Sequence, residues 1–255
     1  MLFRSRFEAW LKRQTATLKI RPRVFPALEE RSRARILADP ADVAARLELA
    51  WAGYFQGRTV DAGQELAALL ELEPGLPEAA LLRGRLAFAA GNRASALESL
   101  EGAFAAGADD FFGRLELAQL LTLERRIDRA LEQLEAAHTC WPTCAEPQLS
   151  PLLRRATLFR EAGQVEQANQ ELARLVAFAG DAREPRLILA AERAKAGDRT
   201  GQARLLREAL EIDPFDSASL EELALAQEAL GSREEALGTL SAALEVPRDL
   251  DAARA

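Results

Sequence analysis

A glycine followed five residues later by a small residue recurs along this chain at a nearly constant period, and few architectures share a period of that length. The pairs are Gly57/Ala62, Gly91/Ala96, Gly163/Ala168 and Gly231/Ala236. Arg125/Ala130 and Gly197/Gln202 fit the same frame with one substitution each. Successive first positions lie 34, 34, 38, 34 and 34 residues apart. Leu66, Leu100, Leu134, Leu172, Leu206 and Leu240 follow four residues after the small position, and Leu69, Ala103, Ala137, Leu175, Ala209 and Ala243 three further on. Pro74, Pro142 and Pro214 close three of the units.

Each element of the frame has a physical reading. Glycine suits the left-handed residue that ends a first helix. The small residue lets a second helix approach the first closely, and the Leu and Ala four and seven residues on form its buried stripe. Upstream, Leu49/Ala50, Gly84, Leu117/Ala118, Ala156, Ala190 and Leu223/Ala224 occupy the matching small positions of the first helices. A lone helical hairpin cannot bury its apolar face, so the hairpins must stack.

On these residues the chain resembles the tetratricopeptide repeat (TPR) family over six units: Val43–Leu76, Pro77–Asp110, Phe111–Pro142, Leu149–Gly180, Arg183–Asp216 and Ser217–Leu250. The resemblance implies an all-α, right-handed α-solenoid of about six hairpins with one or two extra N-terminal helices. The chain then divides into a basic leader, 1–42, and an array, 43–255. Gln202, the missing turn glycine of the third unit and the missing prolines of the second, fourth and sixth depart from the pattern. After Pro247 a short polar tail stands where a capping helix is expected, so either the chain continues or its end frays.

Charge is unevenly spread. The formal net charge is −7, yet residues 1–35 carry ten Lys/Arg against three acids. Phe3, Phe7, Trp10 and Leu11 share one face of an expected helix. A packed helix with its arginines in water is the simplest reading; a transit peptide or membrane-surface helix is the alternative. Arg21-Pro-Arg-Val-Phe-Pro26 reads as a linker, and a helix is expected over Ala27–Leu37. No apolar run reaches the roughly 18 residues of a membrane span, and the acidic balance argues against general nucleic-acid binding. Leu2-Phe-Arg-Ser5 matches what a sequencing-adapter end would encode, which makes the opening residues a candidate artefact and the chain a candidate fragment.

The four-residue insertion holds His138, Cys140, Trp141, Pro142, Cys144 and Glu146. The ligand types are local and the Cys-x3-Cys spacing does not match structural zinc sites, so no metal is assigned. Cys140 and Cys144 are candidates for a local disulfide, with reduced, packed thiols the plainer expectation. Trp141 is expected to pack on the next hairpin. Phosphate-loop, dinucleotide, zinc-peptidase and serine-hydrolase motifs are absent, and His138 is the sole histidine. Asp109-Asp110, Glu221/Glu222 and Glu234/Glu235 read as solvated helix-start acids. These observations point to a chain with no catalysis and no cofactor.

The TPR resemblance implies that the first helices line a concave binding face carrying Leu47, Trp51, Tyr54, Arg85, Phe88, Phe112, Leu115, Gln119, Arg154, Leu187 and Glu221. The implied partner is a protein or peptide, bound around Leu47, Trp51, Tyr54, Arg85, Phe88, Phe112 and Gln119. The competing reading places most of these aromatics in the inter-repeat core. Asn92 and Asn169 lie outside the groove positions, so a clamp for acidic chaperone tails is not expected. Phe7-Glu-Ala-Trp-Leu11, Arg21–Leu28, Pro147 and Glu211–Asp216 are also similar to the C-terminal TPR region of bacterial gluzincin-type metallopeptidases. A non-catalytic peptidase tail and a structural spacer are therefore the alternatives to a binding scaffold. Compartment and oligomeric state are not legible.

Overall fold

A computed structural model describes residues 26–245. The basic stretch before Pro26, with its expected amphipathic helix and linker, lies outside the described residues. Among those described there are thirteen α-helices and no strand. α1 (Pro26–Ala38) precedes three hairpins: α2 (Val43–Phe55) with α3 (Thr59–Leu72), α4 (Pro77–Ala89) with α5 (Arg93–Ala105), and α6 (Phe111–Leu123) with α7 (Ile127–Cys140). Three more follow: α8 (Pro151–Glu161) with α9 (Val165–Val176), α10 (Arg183–Lys195) with α11 (Arg199–Ile212), and α12 (Ser217–Ala229) with α13 (Arg233–Glu245). The chain divides into two compact units, 1–144 and 145–255, at the four-residue insertion.

The turn frame is realised in every hairpin. Gly57, Gly91, Gly163, Gly197 and Gly231 all have φ between 73° and 82°. A β-carbon would meet nothing at these glycines, so the requirement is the left-handed backbone and not space. The N–H beyond each turn closes the first helix by reaching back five residues, as in Arg58 N–H to Gly53 O (2.8 Å) and Ser232 N–H to Gln227 O (2.9 Å). In the third hairpin Arg125 takes the same place at φ 59°. A non-glycine residue is strained there. Arg125→Gly is therefore expected to raise stability by roughly 0.5–1 kcal/mol, since glycine's own chain entropy offsets part of the relief; urea denaturation checks this.

Close helix crossings follow the small positions. A β-carbon on Gly84 would stand 2.7 Å from Leu100 Cγ, so α4 and α5 can approach only with glycine there. Ala62, Ala96, Ala130 and Ala168 are fully buried, as are the leucines that follow them at positions 100, 134 and 172. Gln202, at the departing position, is buried and accepts from Arg199 Nη1 (2.8 Å). The prolines act one residue upstream. Glu73, Trp141 and Asp213 precede Pro74, Pro142 and Pro214 and have φ of −141°, −139° and −132°, the extended backbone a following proline imposes.

Three expectations need correction. Leu240 belongs to the expected buried stripe but is 42% exposed, because no described element packs over α13. Trp141 turns back onto its own hairpin and meets Phe111 edge-on at 5.3 Å, because that ring stands at the start of α6. Asp110 is not solvated: it is fully buried, where it caps α6 by accepting from Gly113 N–H (2.7 Å). In the C-terminal unit Arg186 reaches back and donates from Nη1 to Ala179 O and Ala182 O, both at 2.8 Å, anchoring the chain between α9 and α10.

Candidate partner-binding face

On the first helices of the N-terminal unit, four of the projected groove residues meet at one guanidinium. Arg85 on α4 lies 5.0 Å from the Tyr54 ring, 5.7 Å from Trp51 and 5.5 Å from Phe112. Residues 51 and 54 are neighbours on one face of α2, and the stacked first helices bring α2, α4 and α6 side by side. Trp51 stacks on Phe55 at 5.5 Å and meets Tyr54 edge-on at 5.7 Å. Phe111 and Phe112 are likewise edge-on at 5.2 Å.

Two carboxylates hold the guanidinium. Glu116 accepts from Arg85 Nε (3.1 Å) and Nη2 (3.0 Å), a two-pronged pair. Asp110, the cap of α6, lies 3.4 Å from Arg85 Nη1. Arg85 itself is only 5% exposed. Burial pushes the Glu116 carboxyl up to about 7, with the attraction of Arg85 only partly offsetting it and Asp110 adding to it. Burial disfavours the charged form of Arg85, yet the charges of Glu116 and Asp110 more than compensate and its pKa rises. Burial also raises the Tyr54 phenol. The face these side chains form is therefore aromatic, laid over an ion pair held inside the fold.

The same construction stands two repeat periods earlier. Asp42 caps α2, accepting from Ala45 N–H (2.9 Å), and takes Arg35 Nε and Nη2 at 2.9 Å each. Glu48, six residues on as Glu116 is from Asp110, accepts from Ser32 Oγ (2.7 Å) and Arg35 Nη1 (3.3 Å). That backbone hydrogen bond, before Arg35, holds Asp42 below its ordinary pKa.

The remaining groove candidates are spread out. Tyr54 and Phe112 are half-buried, Trp51 is buried, and Leu115 is core. Leu47 and Phe88 are half-buried and Gln119 is exposed. In the C-terminal unit Arg154 donates to Gln148 O (2.7 Å), Leu187 packs on that unit's core, and Glu221 is exposed. Sequence reasoning missed Glu116, Asp110 and Phe55. A signal existed for Glu116: it is one turn beyond Phe112 and 31 residues beyond Arg85, which puts it on the adjoining first helix.

Cys140 and Cys144 are both buried and no disulfide joins them, so the local disulfide expected as a candidate from their spacing is not formed. The Cys140 thiol donates to Asp109 Oδ1 (3.1 Å), and burial, with Asp109 adding to it, pushes its pKa up to about 11. No group of three or more His, Cys, Asp or Glu that could hold a metal occurs among the described residues. No described helix is long and apolar enough to cross a membrane.

No family model and no curated protein matches the chain, which leaves the metallopeptidase resemblance without support. Solved structures do match. YrrB, described as a TPR protein with an unusual peptide-binding site, superposes with a TM-score of 0.57 at 16% identity, over 74% of this chain and 95% of that one. PilF of Pseudomonas aeruginosa gives 0.50 at 16% identity, over 79% and 89%. A tetratricopeptide repeat protein of Parabacteroides merdae ATCC 43184 gives 0.50 at 19% identity, over 81% and 80%. At these identities the likeness is one of fold: the described residues form an all-α array of hairpins with the TPR fold.

Proposed function

We propose that this TPR-fold chain is a protein- or peptide-binding scaffold without catalysis of its own. Its groove is the first-helix face of the N-terminal unit. Tyr54 and Phe112 are the contact rings, Leu47, Phe88 and Gln119 flank them, and Trp51 with the Arg85–Glu116 pair forms the floor. One observation carries the reading: two half-buried aromatic rings from α2 and α6 are held against a guanidinium whose charge is already balanced inside the fold. Rigid rings over a satisfied polar base present apolar surface at low ordering cost, the usual character of an interface anchor. The peptide-binding site named for YrrB is in keeping with this reading.

Selection of a displayed peptide library on the immobilised chain tests it. Enriched peptides are expected to share an aliphatic or aromatic anchor. Their affinity should fall about 30-fold with Phe112→Ala, the equivalent of about 2 kcal/mol for one anchor. The melting temperature of that variant separates lost contact from lost fold. No enrichment, or enriched peptides indifferent to both Tyr54→Ala and Phe112→Ala, would remove this face and favour the spacer reading.

A further inference from the structure

The repeat frame runs on upstream of the first hairpin. α1 ends at Ala38, one period of 34 residues before α3 ends at Leu72, and Pro40 stands one period before Pro74. Asp42 and Asp110, the caps of α2 and α6, are two periods apart. α1 is therefore in register with the second helices. Each of those lies against the first helix of its own hairpin, and no described helix plays that part for α1. Leu28 is only half-buried, although Ala62, Ala96 and Ala130 are fully buried at the same place in the next three hairpins.

Residues 9–21 carry the marks of such a first helix. Ala16 stands one period before Ala50, which Gly84 and Ala118 follow in turn as the small residues of close crossings. Leu11 and Leu18 stand one period before Ala45 and Ala52, both fully buried. Arg23 falls at the turn place that Arg125 fills in the third hairpin at φ 59°. Leu28 departs from the alanine frame, and Ser32 and Arg35 depart from the apolar stripe, bonding instead to Glu48 and Asp42. Pro22 replaces the residue whose N–H closes a first helix, as Gln56 does to Ala52 O (3.2 Å), so this helix should end by Ile20.

In the groove register Trp10, Arg13, Thr17 and Ile20 take the places of Phe112, Leu47, Trp51 and Tyr54. Residues 9–21 hold four Lys/Arg and no acid, and Glu8 lies one turn from Lys12. Glu48, the one acid of α2, already accepts from Ser32 and Arg35. We infer that residues 9–38 form one more hairpin of the array, with α1 as its second helix, and that its first helix lengthens the proposed groove with Trp10 and Arg13, fitting it to a peptide that bears an acidic side chain beside its apolar anchor. A guanidinium with no acid in its own register pairs readily with a partner's carboxylate. The peptide preference rests on the groove proposed above; the hairpin does not.

Hydrogen exchange on the full chain tests the hairpin. Amides of residues 11–20 are expected to exchange at least ~10-fold slower than in an unstructured peptide. Ala16→Glu, at the close crossing, should abolish that protection and leave α4–α7 unchanged. Thr17→Glu, one residue on and in the groove register, should keep it. Unprotected amides, or protection that ignores Ala16→Glu, overturn the hairpin and with it the lengthened groove. Peptides displayed with a blocked C-terminus test the rest. At about 50 mM salt, where screening is weak, enriched sequences should carry Asp or Glu, and Arg13→Glu should weaken their binding at least ~10-fold. Replacing that acid by its amide should make binding indifferent to Arg13→Glu. Peptides that depend on Tyr54 and Phe112 but ignore Arg13→Glu leave the groove standing and overturn its extension. No enrichment removes the groove itself and overturns the peptide preference, while the exchange pattern still decides the hairpin.

Discussion

Trp51→Ala lowers the stability of the N-terminal unit by roughly 3–5 kcal/mol, the loss expected when a large aromatic is cut out of a packed core. Trp51 is 3% exposed, stacks on Phe55 and touches Tyr54 edge-on, and α2 cannot move in to fill the space because Ala50 and Ala52 on either side are already fully buried. Phe112→Ala, at a half-buried ring, is expected to cost less than half as much. Urea denaturation followed by circular dichroism measures both. Equal costs for the two would place Phe112 in the core with Trp51 and weaken the case for a groove. A cost below about 1 kcal/mol for Trp51 would make it a contact residue and not a floor.

Arg85→Ala has an effect of similar size but a different cause. It strands Glu116 and Asp110 in the interior without their counter-charge, which typically costs roughly 3–5 kcal/mol. The cost should depend on pH. The folded chain holds the Glu116 proton more tightly than the unfolded chain, since burial raises that carboxyl from 4.5 to about 7. The linked stability is therefore fully present below about pH 4.5 and is lost as the pH rises through about 7. Glu116→Gln cannot titrate, so its melting temperature should be flatter over that window than the parent's. Arg85→Ala should be most damaging above about pH 7 and milder near pH 5, where Glu116 can take up a proton. Arg85→Met combined with Glu116→Leu should recover the part of the loss that comes from Glu116, and what remains measures the buried Asp110 still left without its counter-charge. A pH-independent cost for Arg85→Ala would assign its role to packing against the three rings.

The two measurements also separate the layers of the site. On the proposed reading, Trp51 and the Arg85–Glu116 pair should answer to stability, and Tyr54 and Phe112 to binding. The frame of helical hairpins beneath them was legible in the chain because every constraint in it is local. A left-handed turn asks for glycine within one hairpin, a close crossing for a small side chain, and a pre-proline residue for extended backbone. Each leaves its mark at a fixed spacing, as at Gly91, Ala96 and Pro74. The period then fixed hairpin number and boundaries, with Arg125 standing in where the glycine is missing.

What a groove residue does was not local. Trp51, Arg85 and Gln119 occupy equivalent places in three successive units, yet the first two are buried and the third is exposed. The difference lies in what the adjoining first helix supplies: Glu116 and Phe112 close over Arg85 from α6, and Arg85 in turn lies against Trp51. Trp141 likewise found Phe111 of its own hairpin, and Leu240 lost its cover because burial of that stripe is provided by the element that packs on it. The sequence by itself determined where each helix begins, turns and ends, since backbone conformation is written within a few residues. Only the tertiary structure decided which side chains of equivalent register stay exposed and which pack on each other, since that depends on neighbours some 30 or more residues away.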